Sequence, residues 1–398
     1  MPLDLDRLRF EDAADVYKAG VLAGGLDRTE GGGVAFTYSA AYADDPARPA
    51  VASTLPVSRD ATVSPGGSVP AFFAGLLPEG RRLSVLRQAV KTSLDDELTL
   101  LLAVGADVPG DVQVVPRGTV PREPDPIVDV TDPAALDFRD LVDAVDLHGI
   151  PGVQEKLSSE MISSPVADPQ GRYILKLEPA DYPHLVENEA THLVAATRLK
   201  LPVSRADVIE DAIGAKGLLV TRFDRVPEGG GSWAKLPLED ATQVLGLPPA
   251  DKYRVASEDV VSALASLTVA PAVSVRNLYL QFVFAWLTGN GDLHGKNVAV
   301  LGDGAGHIKI APLYDLPCTL IYGDDSLALP IGGRTRNLKA RHWAEFAESI
   351  GLPRRAAQSA NAIALQAAAS VDLSALPFAG SPLRRAQREL GFRRSELS

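Results

Sequence analysis

Cysteine is nearly absent from this chain, and the shortage excludes several kinds of site. Cys318 is the single cysteine among 398 residues. The chain can therefore form no internal disulfide, and no zinc or iron–sulfur site built from several cysteines. Because proteins without disulfides are typical of reducing compartments, we expect a cytoplasmic location.

Long apolar runs are also missing. No stretch approaches the roughly 18 apolar residues of a candidate membrane span. The opening MPLDLDRLRFEDAADVY has acidic residues where a signal peptide has an apolar segment. We therefore expect neither a membrane span nor a secretion signal.

Positive charge is in short supply as well. Lys and Arg number 39 against 51 Asp and Glu, which gives a net charge of −12. Binding to phosphates needs clustered cations, so we do not expect this chain to hold DNA chiefly through its own surface. Two stretches are basic, at residues 334–343 and 383–394. They are interpreted either as solvated helix faces or as contacts with an acidic substrate or with DNA beside a bound partner.

The residues that are present describe an ordinary globular protein, with 46% hydrophobic and 23% charged residues. The stretch PRGTVPREPDPIVDVTDP is rich in proline and charge, and we interpret it as a linker over residues 119–134. The sequence then predicts an N-terminal β/α domain over residues 1–118, a β-rich lobe over 135–226 and a helical lobe over 227–398. The expected fold class is α+β.

Hydrophobic periodicity and turn residues place the elements within these units. Four strands are predicted in the first unit, in DVYKAGVLAG, GGVAFTYSAAY, AVASTLPVS and GDVQVVP, with helices before the last of them and Asp95 as the cap of the second helix. In the next unit a short helix is predicted in DLVDAVDLHG. A hairpin is predicted from GVQEKLSSEMIS and GRYILKLEP. The helix HLVENEATHLVAATRLK and the strands SRADVIED and AKGLLVTRFDRV follow. From about Tyr253 onward the apolar residues recur with the period of a helix. Two predicted strands, NVAVL and HIKIAPLYD, interrupt this pattern.

The polar stretch GNGDLHGKN, at residues 289–297, carries groups that could perform chemistry. Asp292 and Asn297 are five positions apart, and Asp315 follows a predicted hairpin eighteen residues after Asn297. A carboxylate and an amide oxygen suit Mg²⁺ that is held jointly with nucleotide phosphates. Asp292 can accept a proton from an attacking hydroxyl. Protein kinases use this arrangement.

The alternative is that these three side chains have only local roles, since Asp and Asn are common in turns. Asp292 and Asn297 would then be turn residues, and Asp315 would cap a following helix. The joint occurrence of the three residues in the right strand context favours the functional interpretation.

A kinase also needs a lysine on its small lobe to hold the α- and β-phosphates. Lys176 lies within the apolar strand YILKLEP, where an inward-facing ammonium group is costly unless it is paired. Glu187 and Glu189 on the next helix are candidate partners. The alternative is an edge-strand lysine that faces water. The preceding HGIPGVQEKLSS, residues 148–159, fits a phosphate-covering hairpin but has fewer glycines than a GxGxxG loop.

Taken together, these motifs resemble one family. GVQEKLSS, YILKLEP, ENEA, LLVTRFDRV, GNGDLHGKN and APLYDL, in this order, are similar to motifs of the HipA family of serine/threonine kinase toxins. AGVLAG, GGVAFTYSAAY, STLPVS and FFAGLLPEGRR resemble the N-terminal domain of that family, which ordinary kinases lack, and LALPIGGR matches as well. The resemblance covers nearly the whole chain. It implies a two-lobed protein-kinase-like fold with an appended N-terminal domain.

The resemblance also implies a role for each motif residue. Asp292 would be the catalytic base, Asn297 and Asp315 would bind Mg²⁺, and Lys176 would bind the phosphates of ATP. The other ATP contacts would come from the phosphate-covering loop and, largely through backbone groups, from the hinge: Val153, Gln154, Glu155 and Lys156 in the loop, and Thr221, Arg222 and Phe223 in the hinge.

His294 lies two positions after the implied base, where many kinases have a lysine that meets the γ-phosphate. A histidine in that catalytic position would make the charge that supports the transition state depend on pH. The alternative is a histidine that bonds the backbone of its own loop.

One position departs from the family pattern. Well-known members have a serine just before the phosphate loop, and its autophosphorylation switches the kinase off. Alignment on GVQEK places Gly149 there, which has no hydroxyl group. Either the protein lacks this switch or it uses another residue. Ser158 and Ser159 are candidates, and the alternative for both is an ordinary surface serine.

The function implied is that of a protein kinase toxin that phosphorylates a translation-related protein such as an aminoacyl-tRNA synthetase. The family resemblance further implies a HipB-like helix-turn-helix antitoxin, with operator DNA contacted mainly through that partner. Two alternatives stay open. One is a catalytically weak pseudokinase that acts as a corepressor, and the other is a small-molecule kinase, since aminoglycoside and choline kinases share the Asp-x4-Asn spacing.

Overall fold

The computed structural model describes residues 5–122, 130–138 and 162–398. The predicted helix DLVDAVDLHG, most of the predicted strand GVQEKLSSEMIS, the phosphate-loop residues 153–156, Gly149, Ser158 and Ser159 lie outside the described residues. Within the described ranges no helix is long and apolar enough to cross a bilayer.

The first unit is built on a five-stranded antiparallel sheet. Its strands are β1 (Ala13–Lys18), β2 (Val21–Arg28), β3 (Val34–Tyr38), β4 (Thr62–Ser64) and β5 (Val112–Pro116), in the spatial order β4-β3-β2-β1-β5. The helices are α1 (Ala40–Ala43), α2 (Ala71–Ala74), α3 (Gly80–Val90) and α4 (Glu97–Val104). Their apolar side chains, with those of β1 and β3, form one hydrophobic core that includes Phe36, Phe73 and Leu101.

Three predictions for this unit are wrong in detail. DVYKAGVLAG, predicted as one strand, is a hairpin of β1 and β2 with its turn at Ala19 and Gly20. AVASTLPVS forms no strand, because it contains only an isolated bridge between Ala52 and Leu55. Pro56, which has no N–H group to donate to a ladder, follows directly. The cap of α4 is Asp96 and not Asp95, since the Asp96 carboxylate accepts from the backbone N–H of Thr99.

In its described residues, the second unit has a four-stranded sheet and one α-helix. Its strands are β6 (Ile162–Asp168), β7 (Gly171–Leu177), β8 (Ala206–Glu210) and β9 (Lys216–Thr221), in the order β6-β7-β9-β8, and its helix is α5 (Leu185–Ala196). β7 lies inside the sheet, between β6 and β9, so Lys176 is not on an edge strand. Val130, from the end of the predicted linker, packs with Phe138 and Leu175 in the small core of this unit.

The third unit is mainly helical. Its helices are α6 (Ala241–Val244), α7 (Ser257–Leu267), α8 (Pro271–Thr288), α9 (Ala340–Ser349), α10 (Arg354–Ala369) and α11 (Gly380–Leu397). Every residue of α8 from Leu278 onward is buried, which is the pattern of a helix that is surrounded by packing partners. Cys318 lies in the same core with no exposed surface.

The helical prediction for residues 227–398 missed three of the five strands in this region. They are β10 (Arg225–Gly229), which begins two residues earlier, β11 (Ser232–Lys235) and β12 (Leu238–Asp240). β10 and β11 form a hairpin of their own. β12 pairs with β13 (Ala299–Gly302), which pairs with β14 (Ile308–Ile310). The two strands predicted from NVAVL and HIKIAPLYD are present as β13 and β14.

Candidate active site

Lys176 joins the small lobe to the large one. Its Nζ lies 2.9 and 3.0 Å from the two carboxylate oxygens of Glu189 on α5, and 2.9 Å from Oδ1 of Asp315. Burial disfavours the ammonium charge, but the two carboxylates outweigh it and raise the pKa of Lys176 above its ordinary value. The lysine is therefore charged, inward-facing and paired. Of the two candidate partners Glu189 is the one used, while Glu187 binds Lys216.

Asp315 stands in an unusual backbone conformation. Its φ is 57°, a left-handed value that costs energy for a residue with a side chain and recurs at functional sites. Asn290 Nδ2 donates to the Asp315 carbonyl at 3.4 Å. Burial acts to raise the pKa of the Asp315 carboxyl, but Lys176 outweighs it and holds the pKa below its ordinary value. Asp315 is therefore an ionised carboxylate that faces the cleft.

The loop that carries Asp292 begins at a helix cap. Gly289 follows the last residue of α8 with a φ of 74°, which lets the chain turn away, and the N–H of Asn290 donates to the Ala285 carbonyl. A side chain at Gly291 would collide with Asp324 and Ser326. Glycine is therefore required where the loop passes close to the segment that follows Asp315.

Asp292 and Asn297 face each other across this loop. Asn297 Nδ2 donates to the backbone carbonyl of Asp292 at 2.9 Å, and the backbone N–H of Asp292 donates to Asn290 Oδ1 at 2.9 Å. The Asn297 amide also bonds Asp315, which helps to lower the pKa of that carboxyl. Asn297 thus connects the Asp292 loop to Asp315, and Lys176 of the small lobe pairs with Asp315.

This set of groups fits a magnesium nucleotide. The amide oxygen of Asn297 and the carboxylate of Asp315 are both of the oxygen type that Mg²⁺ prefers. No cluster of three or more His, Cys, Asp and Glu residues suited to a metal occurs in the parts of the chain that the structure describes. Mg²⁺ needs none, since it is commonly bound by one or two protein ligands together with substrate phosphates and water.

His294 is a neutral side chain of the loop. Its Nδ1 accepts from the backbone N–H of Lys296 at 3.3 Å. Burial, helped by the charge of Lys252, lowers the pKa of His294 to about 3. The imidazole is thus uncharged near neutral pH in this structure. The geometry therefore supports the alternative interpretation, a histidine that bonds its own loop.

The predicted hinge residues have different neighbours. The ring of Phe223 packs against that of Tyr314, next to Asp315, at 5.6 Å between centroids. The backbone N–H groups of Thr221 and Arg222 donate to the carbonyls of Arg205 and Arg172. These two amide hydrogens are thus used inside the protein and are not available to an adenine ring.

The side chain of Arg222, whose predicted nucleotide contact was largely through the backbone, forms ion pairs within the protein. Its guanidinium lies 2.9 Å from both carboxylate oxygens of Asp107 in the N-terminal unit and 3.2 Å from Asp224. Arg225 pairs with the same two carboxylates. All four side chains are largely buried. The hinge therefore fastens the small lobe to the N-terminal unit.

Several residues that shape the site had no signal in the sequence. Asn188, beside Glu189, bonds both the N–H and the carbonyl of Cys318, and so ties α5 to the segment after Asp315. Lys296 donates to the Gly75 carbonyl of the N-terminal unit at 2.7 Å. Tyr253 donates to Oδ1 of Asp292 at 2.8 Å.

Comparison with known proteins identifies relatives over most of the chain. Residues 14–115 match the family model described as "HipA N-terminal domain", and residues 148–371 match the one described as "HipA-like C-terminal domain". Y4mE of Sinorhizobium fredii, whose kinase designation is provisional, is 33% identical over 369 residues, covering 85% of this chain and 86% of the relative. The serine/threonine-protein kinase toxin HipA of Shewanella oneidensis is 26% identical over 332 residues, covering 76% and 75%.

A solved structure has the same architecture. It is the complex of Shewanella oneidensis HipA and HipB with operator DNA, which superposes with a TM-score of 0.73 at 22% identity and covers 96% of this chain and 95% of the other. The fold is thus the two-lobed, kinase-like α+β fold with an appended N-terminal unit. With matches to both family models and to a relative at 33% identity over most of its length, the chain belongs to the HipA kinase family.

Proposed function

We propose that this protein is a Mg²⁺-dependent serine/threonine kinase that transfers the γ-phosphate of ATP to a hydroxyl group on another protein. The observation that supports this most strongly is the ion pair of Lys176 with both Glu189 and Asp315. It connects the strand lysine of the small lobe to the carboxylate that follows the Asp292 loop. Protein kinases require the lysine–glutamate pair in their active arrangement, together with a contact between Mg²⁺ and an aspartate, which Asp315 would make here.

Each residue of the site has a task in this reaction. Glu189 holds the Lys176 side chain with both carboxylate oxygens, so that the ammonium group is directed at the α- and β-phosphates. Asn297 and Asp315 would hold Mg²⁺, which neutralises charge on the β- and γ-phosphate oxygens. Fixed charges of this kind stabilise the transition state without reorganising during the reaction.

Asp292 would act on the acceptor. As the Ser or Thr oxygen bonds to the γ-phosphorus, its proton passes to the Asp292 carboxylate, and the bond from the γ-phosphorus to the bridging oxygen of ADP breaks. The backbone contacts of Asp292 with Asn290 and Asn297 fix where this carboxylate starts. Correct placement of the reacting groups accounts for much of the rate in such enzymes.

The partners are proposed from the relatives. The HipA protein of Shewanella oneidensis is named a serine/threonine-protein kinase toxin, and its solved complex contains HipB and operator DNA. We infer a HipB-like helix-turn-helix antitoxin for this chain, with operator DNA contacted mainly through it, which suits the net charge of −12. The acceptor would be a translation-related protein in the cytoplasm.

Phosphoryl transfer can be tested without knowing the acceptor. Heat-treated cell lysate, in which other kinases are inactive, is incubated with γ-labelled ATP and this protein, and labelled proteins are identified by mass spectrometry. We expect Mg²⁺-dependent labelling of a small number of proteins at Ser or Thr, and at least a hundredfold loss of the rate in Asp292→Asn.

The matched control is Asp303→Asn, which makes the same change at an exposed carboxylate in the turn between β13 and β14 and should leave the rate unchanged. Labelling that survives Asp292→Asn would reject the proposed base. Label found only in small metabolites would favour a small-molecule kinase, and a wild-type protein with no transfer at all would favour the corepressor alternative.

A further inference from the structure

Tyr253 lies outside every motif described above, yet its hydroxyl donates to the candidate base. The distance from the Tyr253 hydroxyl to Asp292 Oδ1 is 2.8 Å. The contacts of Asp292 with Asn290 and Asn297 involve its backbone N–H and carbonyl, so they place the chain but do not orient the carboxylate. The carboxylate torsion of an aspartate has a broad energy minimum. A hydrogen bond to Oδ1 therefore restricts the orientation of the whole carboxylate.

Tyr253 is itself held from two sides. Its ring packs edge-on against the ring of His294, with centroids 5.0 Å apart and an interplanar angle of 87°. The Lys252 ammonium lies 5.2 Å from the centre of the ring, within range of a cation–π interaction. The tyrosine is half-exposed, so it is these contacts, more than burial, that fix its ring.

Lys252 is in turn positioned by contacts with the N-terminal unit and with the loop that carries Asp292. Lys252 Nζ pairs with Glu79, just before α3, at 3.1 Å, and both side chains are mostly buried. The Lys252 carbonyl accepts from the backbone N–H of Gly295 at 2.9 Å. A continuous series of contacts thus runs from Glu79 through Lys252 and Tyr253 to Asp292.

We propose that Tyr253 is a positioning residue for the catalytic base, and that Glu79 and Lys252 make the N-terminal unit part of the catalytic apparatus. This rests on the kinase function proposed above. The tyrosine hydroxyl binds Oδ1 of Asp292 and so restricts the orientation in which this carboxylate receives the proton of the acceptor. A hydrogen bond to an ionised carboxylate is stronger than one between neutral groups, so it fixes the rotamer of Asp292 before substrate binds.

This arrangement differs from that of kinases with a lysine two positions after the base. Here that position holds His294, which is neutral and packs against Tyr253. The orienting hydrogen bond therefore comes from a side chain more than thirty residues earlier in the sequence. That side chain is supported by a unit that ordinary kinases lack.

The test is Tyr253→Phe, which keeps the ring, its packing on His294 and its contact with Lys252, and removes only the hydroxyl. ADP formation from ATP is measured with heat-treated lysate protein as the acceptor. We expect kcat to fall about tenfold, while KM for ATP stays within about twofold, because the hydroxyl acts on the base and not on the nucleotide. The melting temperature should not change.

Tyr17→Phe is the matched control, since it removes a hydroxyl that donates to the Thr119 carbonyl within the N-terminal unit. It should leave kcat as in the wild type. Glu79→Gln, which weakens the hold on Lys252, should lower kcat about threefold with the same unchanged KM.

The outcomes separate the two proposals. A wild-type protein that forms no ADP would overturn the kinase function, and this role for Tyr253 with it. An active wild type combined with a Tyr253→Phe variant of unchanged kcat, or one in which only KM rises, would overturn the positioning role alone. A higher kcat in Tyr253→Phe would show that the hydroxyl blocks the base, and would also overturn it.

Discussion

The pKa of His192 depends on the packing of α5, which buries this side chain. It lies one helical turn after Asn188 and is fully buried. Its Nδ1 lies 2.8 Å from the Asn188 carbonyl oxygen. Burial lowers the pKa of His192 to about 4. The neighbouring Asn188 and Glu189 both serve the site, so the neutral imidazole supports the helix that positions Lys176.

The depressed pKa predicts a specific loss of stability in acid. The unfolded chain takes up a proton on this histidine near pH 6.5, whereas the folded protein does so only near 4. The stabilisation is therefore complete above about pH 6.5 and is lost as the pH falls through 4. At about 1.4 kcal/mol per pKa unit, the free energy of unfolding should drop by about 3 kcal/mol over this window.

Chemical denaturation between pH 7 and 4 measures this effect. His192→Gln should show a shallower fall than the wild type, leaving the part that comes from His294. His307→Gln, on the exposed turn before β14, is the control and should keep the wild-type slope. An unchanged slope in His192→Gln would contradict the assignment.

Among single residues, those whose chemistry requires a particular residue type at a particular spacing in the motif could be predicted from the sequence. Lys176, Asp292, Asn297 and Asp315 were found in this way. The sequence could not decide between Glu187 and Glu189, because residues two apart on a helix face nearly opposite sides and only the packing of α5 decides which side is inward. His294 was placed correctly in the loop, but its charge depends on burial that the sequence does not display.

Among the elements, long periodic segments were predictable and short strands were not. α5, α7, α8 and the strands β7 to β9 follow from apolar periodicity alone. β10 contains Pro227 and ends at Gly229, and β12 has only three residues. Such segments have the composition of turns, and they become strands only because a partner strand lies beside them.

The connection between the hinge and the N-terminal unit is also an element-scale feature that the sequence hid. Asp107 lies more than a hundred positions before Arg222 and Arg225, and the buried pairs among them and Asp224 appear only in the folded chain. Removing one partner of a buried ion pair leaves an uncompensated buried charge. This typically lowers the free energy of unfolding by about 3–5 kcal/mol.

We therefore predict that Asp107→Ala uncouples the N-terminal unit. The three tryptophans lie at positions 233, 286 and 343, on the β10–β11 hairpin and on two helices of the large lobe. Their fluorescence therefore does not report on the N-terminal unit, whereas circular dichroism reports on every unit. The two signals should coincide during urea unfolding of the wild type and separate in Asp107→Ala.

Asp44→Ala is the control for that experiment, because it breaks an exposed pair with Arg59 and should cost less than about 1 kcal/mol. Coincident transitions in Asp107→Ala, at the wild-type urea midpoint, would show that the buried pairs do not hold the N-terminal unit in place.

For the whole molecule, the candidate site is assembled from three units. Lys176 and Glu189 come from the small lobe, Asp292, Asn297 and Asp315 from the large lobe, and the N-terminal unit reaches the loop through Gly75 and Glu79. The sequence predicted the first two contributions, since motif spacing carries them. The third could not be predicted, because backbone carbonyls and single ion pairs leave no pattern in a sequence.

Whether the two lobes bind one magnesium nucleotide together is tested by the effect of Mg²⁺ on ATP binding, measured by calorimetry for the wild type and Asp315→Asn. If the residues of the two lobes converge on one magnesium nucleotide, millimolar Mg²⁺ should tighten ATP binding by about tenfold or more in the wild type and in the control Asp303→Asn. In Asp315→Asn that gain should disappear, with the fold intact by circular dichroism. A gain of the same size in Asp315→Asn would contradict the account.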